Sequence, residues 1–135
     1  LALGIDASAA LVRLAHEFSG ADCEVVRLED VVYEGIFDGV WACASLLHLP
    51  KKMLIPVLKR LQRALVRGGT LFASIQEGKG EGCLEDGRFY AYYSQNELSK
   101  ALQMSGFLMD EMWRTEDVLS RSDSPKWLNV LARAG

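Results

Sequence analysis

The run Phe37-Asp38-Gly39-Val40-Trp41-Ala42-Cys43-Ala44-Ser45-Leu46-Leu47-His48-Leu49-Pro50 most constrains what this chain can fold into. Residues 37 to 43 are nearly all apolar, as in a strand of a parallel sheet with helices on both faces. Small residues at 42 to 45 then make a tight corner. The stretch from Lys52 to Val66 follows as an amphipathic helix: Leu54, Val57, Leu58, Leu61 and Leu65 share one face, and Lys59, Arg60 and Arg63 lie on the other. Gly68-Gly69 reads as its stop, since a left-handed residue is cheap only for glycine, and Thr70 to Gln76 reads as the next strand.

The flanks repeat the pattern. Leu1 to Ile5 is a short strand ending on Asp6. Ser8 is the expected N-cap of a helix to Phe18, because its hydroxyl can accept an orphan N–H of the first turn. Leu11, Leu14, Ala15 and Phe18 keep the spacing of a single buried stripe. Gly20 ends that helix, and Glu24 to Leu28 is a strand. Ser94-Gln95-Asn96-Glu97 is a capping box that opens a helix to about Ser105. Phe107 to Trp113 and Trp127 to Arg133 are two strands joined by the polar stretch Arg114 to Lys126, and they are expected to pair antiparallel. Strands alternating with amphipathic helices predict an α/β fold with a mostly parallel sheet, and 135 residues fit one domain, 1–135.

Composition excludes several classes. A net charge of −3 with no basic stripe gives nucleic-acid binding no electrostatic support. The longest run of small and apolar residues, Val40 to Leu47, falls far short of the ~18 that a membrane span requires. No basic leader precedes the first strand. Cys23, Cys43 and Cys83 form no metal or redox pattern. Reduced, inert thiols in a cytoplasmic protein are the expectation. No Gly-x-Ser-x-Gly elbow and no zinc-spaced His/Cys cluster is present, so hydrolase and metalloenzyme readings have nothing to rest on, and the expected metal set is none.

The strand ending in Gly4-Ile5-Asp6-Ala7-Ser8, the corner at 42 to 47, Gly68-Gly69 before a strand and the closing antiparallel pair together resemble the class I, Rossmann-like S-adenosylmethionine-dependent methyltransferases. The resemblance runs over nearly the whole chain. Asp86-Gly87-Arg88-Phe89-Tyr90 and Trp127-Leu128-Asn129 also resemble a bacterial subgroup of uncharacterised methyltransferases. The resemblance implies a Rossmann-like methyltransferase sheet, mostly parallel with a C-terminal antiparallel pair, lacking the family's first strand and helix. It places that strand, and the glycine-rich cofactor loop, ahead of Leu1. The chain by itself is therefore expected to bind S-adenosylmethionine weakly or not at all.

By the same resemblance, Asp6 binds the ribose hydroxyls of S-adenosylmethionine. Its structural alternative is a cap on the helix from Ser8. Asp30 accepts the adenine amino group and Val31 lies against the ring, or Asp30 is a solvated loop acid. Ala42 and Leu47 form the floor under the methionine part, or are an ordinary buried strand end. His48 has a pKa suited to a general base, against a packing or loop-fixing role. Methyl transfer often needs only alignment and desolvation. Arg88, Tyr90 and Tyr92 belong to a glycine-rich segment that would close over a small-molecule substrate, or simply cover the core edge.

Three functional readings stand: a methyltransferase acting on a small molecule, a non-catalytic and oligomerising remnant of that fold, and a nicotinamide-dinucleotide-binding fragment. Gly68-Gly69 and the antiparallel ending speak against the third. The resemblance places the missing strand between the strand at 1–5 and the strand at 37–43. Either those two strands pair directly, or a second copy supplies an edge. A homo-oligomer is the expectation, with Leu1 and Leu3 in the interface.

Overall fold

The computed structural model describes residues 2–116 and 126–135. The stretch 117–125, most of the polar connection between the last two strands, lies outside the described residues, as does Leu1. The chain divides into two compact units, one ending at Val32 and the other running from Tyr33 to Gly135.

The first unit is a β-α-β element. Strand β1 (Leu3–Asp6) pairs in parallel with β2 (Asp22–Val25), with Asp6 opposite Val25. Between them runs helix α1 (Ala9–Ser19), capped by the Ser8 hydroxyl, which accepts from the Leu11 N–H at 3.3 Å. Gly20 closes α1 at φ 71, a conformation that costs a glycine little. The expected helix and its caps are thus present, but the expected burial is not. No residue of α1 is buried: Leu11 is 54% exposed, Leu14 56% and Phe18 95%. Helical spacing shows that a face is apolar; it does not say that anything covers it.

The larger unit holds a four-stranded sheet in the order β3-β4-β8-β7. Strand β3 (Phe37–Cys43) pairs in parallel with β4 (Leu65–Gln76), and β8 (Trp127–Ala134) lies antiparallel between β4 and β7 (Phe107–Thr115). The closing antiparallel pair is as expected. Leu71, Ala73 and Ile75 of β4 face Ala132, Val130 and Leu128 of β8, and all six are essentially buried. Helix α2 (Lys51–Ala64) adds buried Leu54, Val57, Leu58 and Leu61, and α3 (Gln95–Met104) adds Leu98, Ala101 and Leu102. A hairpin of β5 (Glu81–Cys83) and β6 (Phe89–Ala91) precedes α3.

Two expectations fail here for identifiable reasons. The strand from 37 to 43 is not covered on both faces: only Ala42 is buried, and Trp41 is 74% exposed, stacked on Phe72 at 4.1 Å. Gly68-Gly69 does not end the helix. Helix α2 stops at Ala64, and the chain enters β4 at Leu65 in extended conformation. The glycines instead absorb extra residues within the strand: Phe37 faces Leu65, yet Gly39 faces Thr70. Gly68 sits at φ 79, and a Cβ on buried Gly69 would lie 2.9 Å from the Val66 carbonyl and 3.1 Å from that of Asp38. The irregularity behaves as a long bulge, for which glycine is the natural residue.

The direct pairing of the 1–5 strand with 37–43 does not occur among the described residues; β1 pairs with β2, and β3 with β4.

Gly69→Ala is expected to destabilise the protein by roughly 1–3 kcal/mol, because the methyl group must displace backbone rather than a flexible side chain. Gly78→Ala, whose Cβ would meet the Tyr92 side chain at 3.1 Å, serves as a comparison of milder effect. Urea midpoints measured on both variants check this.

Candidate functional site

Parallel strands gather loop residues at their carboxyl ends, where open α/β sheets bind ligands. In the first unit that end carries Asp6. Its Oδ1 accepts the Ser8 N–H at 2.7 Å, so the capping role is real. One carboxylate oxygen is thereby engaged, and Asp6 as a whole remains exposed. Asp30 closes a short 3-10 turn after β2 (Leu28–Asp30) and is also exposed, while its neighbour Val31 is buried.

The larger unit carries the more developed corner. Cys43 ends β3 opposite Ser74 of β4. Ala44 follows with φ 51, the one non-glycine residue in the left-handed region among those described. Its N–H is held by the Ser74 hydroxyl at 3.0 Å and the Ser74 carbonyl at 3.2 Å. The Ser74 hydroxyl donates to Cys43 Sγ at 3.5 Å. Left-handed alanine costs about 1 kcal/mol or more, so local contacts must hold it there. Ala42, Leu46 and Leu47, neighbours of this turn in the chain, are buried. The turn thus lies between buried apolar residues at the carboxyl end of the strand.

His48 ends the 3-10 turn Leu46–His48 and is exposed. Its Nδ1 lies 3.0 Å from the Phe89 carbonyl of the hairpin, which can only accept, so Nδ1 carries the proton. The other ring nitrogen has no hydrogen-bond partner among the described residues. The ring meets Tyr90 edge-on at 4.8 Å. Loop-fixing and a free basic nitrogen thus coexist in one side chain.

Tyr90 is nearly buried, with the Arg88 guanidinium 5.4 Å from its ring centre and Tyr92 parallel to it at 6.4 Å. Arg88 is not a free charge. Its Nε donates to Asp86 at 2.7 Å, and its backbone N–H donates to the same carboxylate at 3.0 Å. These bonds hold the Asp86 carboxyl below its usual range. The structure therefore joins His48, Arg88, Tyr90 and Tyr92 in one cluster, with Arg88 spent on Asp86 and Tyr90 acting as support.

Sequence reasoning missed the neighbouring cluster around Tyr93. Lys51, at the start of α2, places its ammonium 4.9 Å from the centre of the Tyr93 ring and 3.1 Å from a Glu97 carboxylate oxygen. The Glu81 carboxylate accepts the Lys51 backbone N–H at 2.7 Å, capping the helix from across the hairpin. The Tyr93 hydroxyl is buried with no hydrogen-bond partner among the described residues. Burial pushes its pKa up to about 12, with help from the Glu81 and Glu97 charges. The capping box pointed to Glu97, but no sequence signal links Lys51 or Glu81 to it. No group of His, Cys, Asp and Glu able to hold a metal ion occurs among the described residues. No helix there is long and apolar enough to cross a membrane.

No protein-family model matches the sequence, and neither does any curated relative. Solved structures do. The chain is similar to a Burkholderia thailandensis 1,6-didemethyltoxoflavin-N1-methyltransferase with bound S-adenosylhomocysteine, at TM-score 0.81 and 19% identity, covering 98% of this chain and 60% of that one. It is similar to a Methanosarcina mazei S-adenosylmethionine-dependent methyltransferase at TM-score 0.82 and 16% identity, covering 97% and 80%. The chain has the class I methyltransferase fold. The same fold is shared by SpnF, a 4+2 cyclase, at TM-score 0.76 and 16% identity, covering 97% and 64%. The methyltransferase fold thus serves more than one chemistry. The chain spans about three fifths of the Burkholderia enzyme's length.

Tyr93→Phe is expected to leave the fold intact and to raise stability slightly, since it removes a buried hydroxyl that bonds to nothing. The wild-type phenol stays protonated in the folded state to about pH 12, whereas an unfolded tyrosine ionises from about pH 10. The unfolded state then binds fewer protons, so wild-type stability falls as pH rises through that window. Tyr93→Phe should flatten this alkaline loss, as thermal melts between pH 8 and the alkaline limit would show.

Proposed function

We propose that this chain is the core of an S-adenosylmethionine-dependent methyltransferase acting on a small-molecule acceptor. The observation that carries the reading is the left-handed corner at Ala44, between buried Ala42 and buried Leu47 in the chain, at the carboxyl end of a strand in a class I methyltransferase fold. A neighbour of the same fold has S-adenosylhomocysteine bound.

Each of the two units, taken by itself, offers residues whose character fits part of the cofactor. Asp6 has a carboxylate oxygen left over from its capping bond, available to ribose hydroxyls. Asp30 and Val31 offer an acceptor and an apolar surface for an adenine. Ala42 and Leu47 give apolar neighbours to a left-handed turn whose backbone can approach a methionyl group closely. S-adenosylmethionine, when bound, supplies a methyl group on a positively charged sulfur. The acceptor's lone pair would bond to that methyl carbon as the carbon–sulfur bond breaks and its electron pair leaves on the neutral thioether, and a proton released from the acceptor would pass to the ring nitrogen of His48 that does not face Phe89. Tyr90 and the Phe89 carbonyl fix the direction of that nitrogen. Tyr92 and the hairpin form the side against which the acceptor rests.

Calorimetric titration with S-adenosylhomocysteine tests the reading. Saturable binding is expected, in the high-micromolar range or weaker. Asp6→Ala should weaken it about tenfold, the loss of one charge-assisted hydrogen bond. Asp22→Ala, at the amino end of the neighbouring strand, should leave it unchanged. Absent binding at millimolar ligand, or equal affinity for the two variants, would sink the proposal.

A further inference from the structure

Asp86 and Arg88 stand at the tip of the hairpin between β5 and β6, wholly within the larger unit. The tip is a tight turn. The Gly87 N–H donates to the Leu84 carbonyl at 2.9 Å, the Leu84 N–H donates to the Arg88 carbonyl at 2.8 Å, and Gly87 takes φ 84. Within the turn, the Asp86 carboxylate accepts the Arg88 backbone N–H at 3.0 Å and Nε at 2.7 Å, and Nη2 lies 2.6 Å from it. Both side chains are open to solvent, and an ion pair so exposed adds little to stability. Its effect is on direction. An arginine side chain is long and flexible, but a planar fork bonded through two nitrogens to one carboxylate is held in a single arrangement.

That arrangement puts the guanidinium 5.4 Å from the centre of the Tyr90 ring, inside the range of a cation–aromatic attraction. Alternate residues of an extended segment share a side, so Arg88 and Tyr92 flank Tyr90. Tyr92 lies parallel to Tyr90 at 6.4 Å and rests on Gly78, where a Cβ would come within 3.1 Å of it. Tyr90 is therefore held from both directions along the strand, and its ring is the one that His48 meets edge-on at 4.8 Å. The bond from His48 Nδ1 to the Phe89 carbonyl locates one atom of the imidazole but lets the ring turn about that bond. The contact with Tyr90 removes this freedom.

We infer that Asp86 and Arg88 are positioning residues for His48: the guanidinium held by Asp86 fixes the Tyr90 ring, and that ring fixes the plane of the imidazole and so the direction of Nε2. Arg88 then acts through Tyr90 and does not meet the acceptor. The consequence for proton transfer rests on the methyltransferase reading, in which Nε2 receives the acceptor's proton. The positioning itself is a property of the free chain.

Nitrogen-15 magnetic resonance of the full chain tests it with neither cofactor nor acceptor present, so its failure is separate from any failure to bind S-adenosylhomocysteine. The chain has two histidines, His16 and His48, and His48→Gln assigns their ring signals. Spectra are taken at about pH 9, where an ordinary imidazole, with a pKa of about 6.5, is neutral. An imidazole free in water prefers its proton on Nε2, whereas His48 should carry it on Nδ1, facing Phe89. Arg88→Gln and Asp86→Asn should each lower the ratio of the Nδ1–H to the Nε2–H form by about threefold, the size of one exposed cation–aromatic contact. The double variant should lower it no further, because the two residues act as one unit. Tyr90→Phe, which keeps the ring, should keep the ratio. His16, whose Nδ1 faces the Ala21 carbonyl in the first unit, should keep its signals in every variant. Far-ultraviolet circular dichroism should not change, since Asp86 and Arg88 are exposed. An unchanged His48 ratio in both single variants, a double variant that falls as far again, or a Tyr90→Phe that shifts like Arg88→Gln overturns the proposal. So does a wild-type His48 protonated on Nε2, or a loss of folded signal in either single variant, which would make the pair a support of the fold instead.

Discussion

Strand β4 is the element on which the larger unit depends. It is hydrogen-bonded in parallel to β3 and antiparallel to β8, so it alone joins the two pairing senses of the sheet. Its odd-numbered residues Leu71, Ala73 and Ile75 are buried, and they lie opposite the even-numbered residues of β8 in strict register. A shift of one residue would turn all of them to the other face. The same strand sets the chemistry. Ser74, buried on the opposite face of the strand, pins the Ala44 N–H with both its hydroxyl and its carbonyl. Packing below and the strained turn above are therefore two consequences of one register.

From that turn the remaining site residues are placed by short polar links rather than by burial. His48 reaches the hairpin through the Phe89 carbonyl, and Glu81 reaches the first turn of α2 through the Lys51 N–H. The hairpin is thus tied at both of its strands to the segment between β3 and α2. A carboxylate at a helix N-terminus is favoured by the dipole, and an imidazole bonded through Nδ1 keeps its other nitrogen basic. Glu77, at the end of β4, is held by Arg114 of β7 through two bonds of 2.7 and 2.8 Å, and these keep its carboxyl below the usual range. Because Arg114 is half-exposed, this pair fixes orientation more than it adds stability.

Element types were legible in the sequence because they rest on local rules. Ser8, Gly20 and the Ser94–Glu97 box act within one helical turn, and each is found where its chemistry requires. The antiparallel ending followed from two β-rich segments joined by a polar stretch. The Gly68-Gly69 pair misled because a glycine marks a special backbone position without saying which. Here the position is a bulge forced by β3, thirty residues upstream in the chain, and only pairing reveals it. The Tyr93 cluster was illegible for a related reason. It joins Lys51, Glu81, Tyr93 and Glu97, residues from four segments, and no periodicity spans them. His48 and Tyr90 were named from sequence, but their edge-on contact and the Nδ1 bond that decides the tautomer were not.

The failure over α1 is of another kind. Its apolar spacing is real, and the inference from spacing to burial assumes that a partner surface exists within the chain. Val31 is the one buried apolar residue among the described residues of the first unit, so those residues hold almost no core of their own. The open stripe and the covered stripes of α2 and α3 look alike in sequence, since each repeats at three and four residues. What separates them is that α2 has β4, α3 has β7, and the two helices have each other to pack against, a property of topology rather than of the helix. An amphipathic pattern thus fixes which face of a helix must leave water. It leaves open which surface receives it.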